Sequence, residues 1–474
     1  MLAQFFQRKA QDYGPFVASL STAQTESIER DATKRQWHPT SSQIAQLIDH
    51  KGPVNRIVLP DDQAFVLTAS DDGSVKVWDC SKLEGSAVNR ARLTYQYSGA
   101  KVKALCVLRN RHCFASGGND GSIHVVLVHT QKSSGRNIFS HVSKIRSLQL
   151  HDREYATWLE HYEMSEASVL VIATNFSRIV GIDLNTMLQT FEFQNAPCFG
   201  VPLCFCMDRK RAWLVVGTAS GILTLWDLRF RLLLKAWGIQ GSTPITRISL
   251  HPLRGRGRWI CVTGGSSHGE VTVWDIEKSQ CREVYGRVNV EHSEALYAPI
   301  DIPSAAEFHK THKASVDLDT SVQQNNGLRG LVIGVEETLD YSGRIIPQSG
   351  FAITGGPGRQ LRFWDFSKIQ MSMVVSGQEA DELKPSFTST QVTHTLVVNT
   401  ETPTSISFDN PILGTTTDAK TKKRVRLTRS TIISLQQHAD IKNHLDVITD
   451  VALLEFPYKM ILSADRSGVI RVYT

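Results

Sequence analysis

The sequence predicts an all-β fold of seven repeated four-stranded units arranged in a closed ring. Three observations carry that expectation. One strand pattern recurs seven times in 474 residues, an alternating strand lies upstream of most copies, and a spare strand precedes the first copy where the last copy lacks one. Repeats at a period of a few tens of residues define the architecture before any single element does.

The recurring pattern is a small polar turn with Gly, then an alternating strand ending in an aromatic residue. Residues 70–79 read SDDGSVKVWD, and further copies end at Trp226, Trp274 and Trp364. Two copies carry Val126 and Ile182 in place of the Trp, and the final copy carries Tyr473. The first four intervals between copies run from 44 to 56 residues, near the period of about 40–45 residues of a WD-type blade. The last two are 90 and 109 residues, which places insertions at 291–348 and 376–429.

Within each unit the first strand is expected from PVNRIVL, KVKALCVL, SKIRSLQL, PITRISL and VITDVAL, all of period two. A more continuously apolar second strand follows, as in AFVLTAS and RAWLVVGT. The aromatic strand is third, and a fourth, outer strand should follow it. No fourth strand follows the last copy, but residues 44–48 of SQIAQLIDHKG supply the missing strand from the other end. The expected fold is therefore a seven-bladed WD40 β-propeller closed by an N-terminal strand on the last blade, with two long insertions near blades six and seven. Closure removes the sheet edges that an open array would expose. Residues 1–43 are read as an N-terminal extension and 44–474 as the propeller.

A WD blade can bury a hydrogen-bonded chain of His, Ser or Thr, a turn Asp and the strand Trp, because a buried indole N–H needs a partner. Blade one supplies His50, Ser70, Asp72 and Trp78. The position of Asp72 is taken by Asp120 in blade two, but by Ser220, His268 and Gly358 in blades four to six. These residues, with Trp226, Trp274, Trp364 and Tyr473, are read as structural.

No catalytic signature emerges. Residues 265–269, GSSHG, match the G-x-S-x-G pattern of a hydrolase elbow, but that elbow needs a strand-to-helix turn and EVTVWD follows. P-loop, HExxH, EF-hand, HRD and DFG motifs are all missing. The eight Cys include no CxxC pair, and Cys204 and Cys206, two apart on one strand, are read as core thiols. No enzyme activity, metal or cofactor is expected. The balance of 52 Lys+Arg against 46 Asp+Glu, a net +6, is too mild to imply a nucleic-acid partner. No apolar run is long enough for a membrane span, and no signal peptide is expected, so a cytoplasmic, reduced setting is expected.

Both insertions are rich in Ser, Thr, Gln and charge, a composition that does not bury enough surface to fold alone. The second contains KTKKRVRLTR, with Lys420, Lys422, Lys423, Arg424, Arg426 and Arg429. The plain reading is a solvated flank of the strand STIISLQQ. The functional readings are a nuclear-import or phosphate-binding patch, or a contact with anionic lipid or a protein partner.

The segments HKGPVNRI, LTY at 93–95, WDLRFRL at 226–232, RISLHPL at 247–253, LRFWD at 361–365 and VITDVA at 447–452 are similar to one particular WD-repeat region. Together they resemble the C-terminal propeller of the regulatory, kinase-like, vacuolar-protein-sorting subunit of class III phosphatidylinositol 3-kinase. The resemblance runs from residue 37 to 474; the family's kinase-like domain and helical repeats have no counterpart here, and 1–35 match nothing. The chain is thus expected to be part of such a subunit, with 1–35 the tail of its helical region. The resemblance implies a non-catalytic scaffold that helps hold the lipid kinase catalytic subunit and Beclin-like coiled-coil subunits. It also implies peripheral association with endosomal, autophagic and vacuolar membranes. The alternatives are a WD adaptor of another assembly, such as a ubiquitin ligase or a nuclear complex, and a propeller hydrolase with convergent carboxylates or a metal in its channel.

Overall fold

The computed structural model describes residues 37–474 except 84–87, 98, 110, 134–135, 165–166, 241–242, 265–268, 288–293, 301, 303–326, 340–344, 379–383, 403–442 and 457. They form seven sheets, one for each expected blade. Blade one comprises Val54–Val58, Phe65–Ser70, Ser74–Asp79 and Leu93–Gln96, from the channel outwards. Phe65–Ser70 is buried along its whole length because neighbouring blades cover both of its faces. That explains the continuous apolar run of the second strand, whereas the first strand lines the channel and alternates.

The core is assembled between blades rather than within them. Val66 and Trp78 of blade one pack with Leu462 and Val472 of blade seven and with Leu47 of the N-terminal strand. Gln43–Ile48 pairs antiparallel with Val469–Tyr473, from Gln43 opposite Tyr473 to Ile48 opposite Val469. The Thr40 N–H donates to the Thr474 carbonyl at 2.6 Å, and the Thr474 N–H to that of Ser42 at 3.0 Å. The ring is closed by the two ends of the chain, as the pattern predicts.

In six blades the innermost strand pair slips register at one place, between Val54 and Arg56, Val102 and Ala104, Ala156 and Trp158, Pro202 and Cys204, Ile245 and Arg247, and Ile448 and Asp450. Such a bulge re-aims the extra side chain. Four of these side chains clasp the next blade. Asn55 Nδ2 donates to the Val102 carbonyl at 2.7 Å and Thr157 Oγ1 to Pro202 at 2.7 Å. Thr246 Oγ1 donates to Leu328 at 2.5 Å and Thr449 Oγ1 to Val54 at 2.5 Å.

Three expectations are corrected. SKIRSLQL lies in Arg136–Gln149, the outer strand of blade two, paired with Ser122–Ser133. The inner strand of blade three is Ala156–Glu163, with Trp158, Leu159 and Tyr162 buried while residues 144–147 are exposed. Alternation marks a half-covered strand but not which edge of the sheet it occupies.

The range 291–348 holds Gly330–Leu339, the innermost strand of blade six, and the start of Ile345–Gly355. Its Gly and Glu content hid a strand whose burial comes from adjacent blades. The range 376–429 holds Ser386–Gln391 and Val397–Thr402, which extend blade five, the latter running parallel to Gln280–Arg287. Among its described residues, Glu401 is buried against Arg362 at 2.5 Å and Arg287 at 3.5 Å. The basic stretch at 420–429, STIISLQQ, Ser267 and His268, and residues 1–36 lie outside the described residues.

Deleting residues 1–49 is expected to lower the melting temperature by many degrees or abolish cooperative unfolding. The milder Leu47→Ala, at a fully buried position, should cost about 2–4 kcal/mol in chemical denaturation. A truncated chain melting within two degrees of the full one would show that the strand does not close the ring.

Candidate functional site

Blade one contains the anticipated chain of polar groups, with one member changed. His50 Nδ1 lies 2.8 Å from Asp72 Oδ2, and His50 Nε2 lies 2.7 Å from Thr68 Oγ1. Trp78 Nε1 donates to the same Thr68 hydroxyl at 2.9 Å. Ser70, one pleat further along the strand, is not in the chain. Its hydroxyl donates to the Gly52 carbonyl at 3.0 Å and accepts from the Asp72 N–H at 3.1 Å, setting the turn. Register decides this: Thr68 faces Lys76, diagonal to Trp78, whereas Ser70 sits a step beyond.

Asp72 ties the turn together by accepting from Ser74 Oγ at 2.5 Å and from the Lys51 N–H at 3.0 Å. Burial opposes its charge, but the hydrogen bonds from His50 and Ser74 prevail and hold its carboxyl below the usual range.

Blade seven builds the same arrangement from residues the repeat pattern did not flag. His444 Nδ1 lies 2.8 Å from Asp465 Oδ2, and Nε2 lies 2.6 Å from Ser463 Oγ. Here the Asp occupies the position of Ser70, two residues early, which hid it from an alignment on Asp72. Tyr473 replaces the Trp and its hydroxyl reaches Ser376 at 3.0 Å. Trp226 donates to Asn195 at 3.0 Å, Trp274 to Thr272 at 2.9 Å and Trp364 to Thr354 at 3.2 Å. All four aromatic residues are buried. They hold blades together and present nothing to a ligand.

Surface chemistry concentrates in two other places, the first being the central channel. Asp450 of blade seven is fully buried and accepts from the Ile57 N–H at 2.8 Å, Arg56 at 3.4 Å and Arg247 at 3.2 Å. Both guanidiniums lie over Trp158 of blade three, 4.1 and 4.8 Å from the ring centroid. Blade six contributes Gly330 at this level, so no side chain separates Arg247 from Asp450. Four blades are thereby joined across the axis by ion pairs and cation–π contact. One pleat deeper on the Trp158 strand, burial pushes the Glu160 carboxyl up to about 7, against the Trp158 N–H and the Arg56 and Arg109 charges that favour ionisation. Cys106, Cys204 and Cys206 are buried, and desolvation raises their thiols. Such thiols are inert as nucleophiles. Among the described residues no group of three or more His, Cys, Asp or Glu could hold a metal.

The second place is the rim of blades three and four. Phe230, Leu232, Leu233 and Leu234 are exposed on the turn and outer strand of blade four, with Leu188 beside them on blade three. Asp227 shapes that turn by accepting from the Arg229 and Phe230 N–H groups at 2.8 and 3.1 Å. Arg231 bridges the rims by donating to the Thr190 carbonyl at 3.0 Å. WDLRFRL thus ends in an apolar surface that its sequence, read as a strand and turn, did not distinguish from core.

Fold and repeat define a seven-bladed WD40 propeller. The family model for "WD domain, G-beta repeat" matches residues 41–79. The chain is similar to VPS15 proteins. It is 26% identical over 478 residues to "Putative serine/threonine-protein kinase VPS15" of Komagataella pastoris, covering 98% of this chain and 32% of that protein. The Arabidopsis thaliana "Serine/threonine-protein kinase VPS15" is 25% identical over 459 residues, 92% of this chain and 29% of the relative. The Dictyostelium discoideum "Probable serine/threonine-protein kinase vps15" is 30% identical over 253 residues, 53% of this chain and 13% of the relative. The chain spans about a third or less of the length of these relatives. No helix among the described residues is long and apolar enough to cross a membrane.

Two outcomes test this account. Thr68→Val should cost roughly 1–3 kcal/mol by leaving the Trp78 N–H and the His50 Nε2 without their shared hydroxyl partner, read as a shift in denaturation midpoint. Glu160 has a folded pKa raised above the ordinary carboxylate value, so the folded state holds its proton longer than the unfolded chain does. Its charging therefore removes stability as pH rises from about 4.5 to about 7. Glu160→Gln should leave stability nearly unchanged at pH 4 and raise it at pH 8 by on the order of 2 kcal/mol. Equal effects at both pH values would place Glu160 in a solvated setting.

Proposed function

We propose that the chain is a non-catalytic interaction scaffold, the WD-repeat part of the regulatory subunit of a class III phosphatidylinositol 3-kinase complex acting in endosomal and vacuolar sorting and in autophagy. The observation that carries this reading is similarity to VPS15 proteins along almost the whole propeller, from one end of the closed ring to the other. The fold supports it physically. A closed disc has rigid faces and a rim, its polar chains are spent on cohesion, and its cysteines are buried. The kinase in the relatives' names is an activity of longer proteins, and the propeller's role is to position partners. Those partners are the lipid kinase catalytic subunit and Beclin-like coiled-coil subunits, with cytoplasmic, peripheral placement on endosomal, autophagic or vacuolar membranes through the complex.

The exposed Phe230, Leu232, Leu233, Leu234 and Leu188 on the rim of blades three and four suit such a role, since clustered exposed apolar side chains mark interaction sites. Affinity purification with mass spectrometry is expected to recover a lipid kinase and coiled-coil subunits. Leu232→Asp with Leu234→Asp should reduce that recovery at least tenfold while the melting temperature holds. Recovery of an unrelated assembly, with no lipid kinase, would overturn the proposal.

A further inference from the structure

In an antiparallel blade the first-to-second and third-to-fourth connections leave from the same end of the sheet, so they share one face of the ring. In blade four these connections are 208–212, DRKRA, and 228–231, LRFR. In blade five they are 251–258, HPLRGRGR, and 276–279, IEKS. Together the four carry nine Lys or Arg against Asp208 and Glu277. The connections that leave the same two blades on the opposite face, 219–221, 239–244 and 265–270, carry no Lys or Arg. The positive charge therefore belongs to one face and is not a reflection of the chain's mild net balance.

Only part of this charge is neutralised in place. Arg229 meets Asp227 at 2.9 Å, Arg254 meets Glu283 and Arg258 meets Glu277. Asp208 is spent on its own turn, accepting from the Ala212 N–H at 2.6 Å and the Lys210 N–H at 3.2 Å. Arg209, Lys210, Arg256 and Lys278 are exposed and have no acidic partner among the described residues. Between Arg229 and Arg231, in the blade-four turn, Phe230 is 70% exposed. The face is held as one piece: Arg231 donates to the Thr190 carbonyl of blade three at 3.0 Å, and Lys235 donates to the Glu277 carbonyl of blade five.

We propose that this face of blades four and five is a contact surface for an anionic lipid bilayer. Phe230 enters the headgroup region, while Arg209, Lys210, Arg256 and Lys278 meet acidic headgroups. An exposed aromatic residue among cations is the pattern of interfacial binding, in which apolar burial and electrostatic attraction act together. The cations lie on separate turns with no fixed carboxylate to set their geometry. A fluid layer of anionic headgroups can pair with all of them, whereas a protein partner would have to match each position. This is a contact of the propeller itself, beyond its role as a scaffold, and it leaves Leu232, Leu233 and Leu234 on the outer strand to protein partners.

The test is co-sedimentation of the full chain with vesicles of phosphatidylcholine alone and of phosphatidylcholine with phosphatidylserine. It is run at about 0.1 M and about 1 M salt, where charges act over roughly 10 and 3 Å. Binding is expected only to the phosphatidylserine vesicles, and only at the lower salt. The triple variant Arg209→Ser, Lys210→Ser, Arg256→Asn should lower partitioning at least about tenfold, because each basic side chain near the surface adds to the attraction. Asn tolerates the positive φ of 48° at residue 256. Phe230→Ser should lower partitioning severalfold without changing its dependence on salt. All four positions are exposed, so melting temperatures should hold, and recovery of protein partners should be unchanged. Replacing Lys422, Lys423, Arg424 and Arg426 with Ser should leave vesicle binding as in the parent chain. No preference for the anionic vesicles, binding that survives the triple substitution, or loss only in the 422–426 variant overturns the proposal. So does a triple variant that loses protein partners while the parent chain ignores vesicles, which would assign the face to an acidic protein.

Discussion

Everything in this molecule depends on the pairing of Gln43–Ile48 with Val469–Tyr473. Each blade buries its faces only against its two neighbours, so a ring lacking one seam would expose two blade faces and one strand edge together. Closing the seam with strands from opposite ends of the chain is a long-range contact, entropically expensive and formed only when the rest is in place. Its cohesion comes from Ala45 and Leu47, which enter the same cluster as Trp78 and Val472. Hydrogen bonds of Thr40 and Ser42 with Thr474 extend the seam beyond its Gln43–Tyr473 end.

Two further devices hold the ring at smaller radius. The repeated bulge turns Asn55, Thr157, Thr246 and Thr449 toward the next blade, so the inner circumference is stitched by side-chain to backbone hydrogen bonds. At the axis, Asp450 gathers Arg56 and Arg247 over Trp158. A buried ion pair contributes little net stability, but removing one partner strands the other. The Asp450 cluster is therefore better understood as fixing how four blades meet than as a source of free energy.

The rim does different work. Blade five is broadened by Val397–Thr402 and Ser386–Gln391, which cover an edge that would otherwise invite pairing. The outer strand of blade four instead exposes Leu232, Leu233 and Leu234, and pairs with Ile300 at Gly238. The contrast between the widened blade five and the exposed leucines of blade four gives the scaffold reading a physical basis, because a rigid disc can hold partners at fixed angles.

The fold was legible in the sequence because a blade is a local unit: a Gly-containing turn, two-residue alternation and a terminal aromatic all lie within about fifteen residues. Seven such signals and one unmatched strand determined ring size and closure. Local signals could not decide what depends on neighbours. SKIRSLQL and the inner strand of blade three share a period, and only burial between blades tells an outer strand from an inner one. Gly330–Leu339 looked like insertion because its burial comes from the adjacent blades five and seven, not from its own alternation. Thr68 rather than Ser70 joins the His50 chain because cross-strand register, not spacing along the chain, sets which hydroxyl reaches the indole. The channel cluster was illegible for the same reason: Arg56, Trp158, Arg247 and Asp450 lie far apart in sequence, and only the closed ring brings their side chains to one axis.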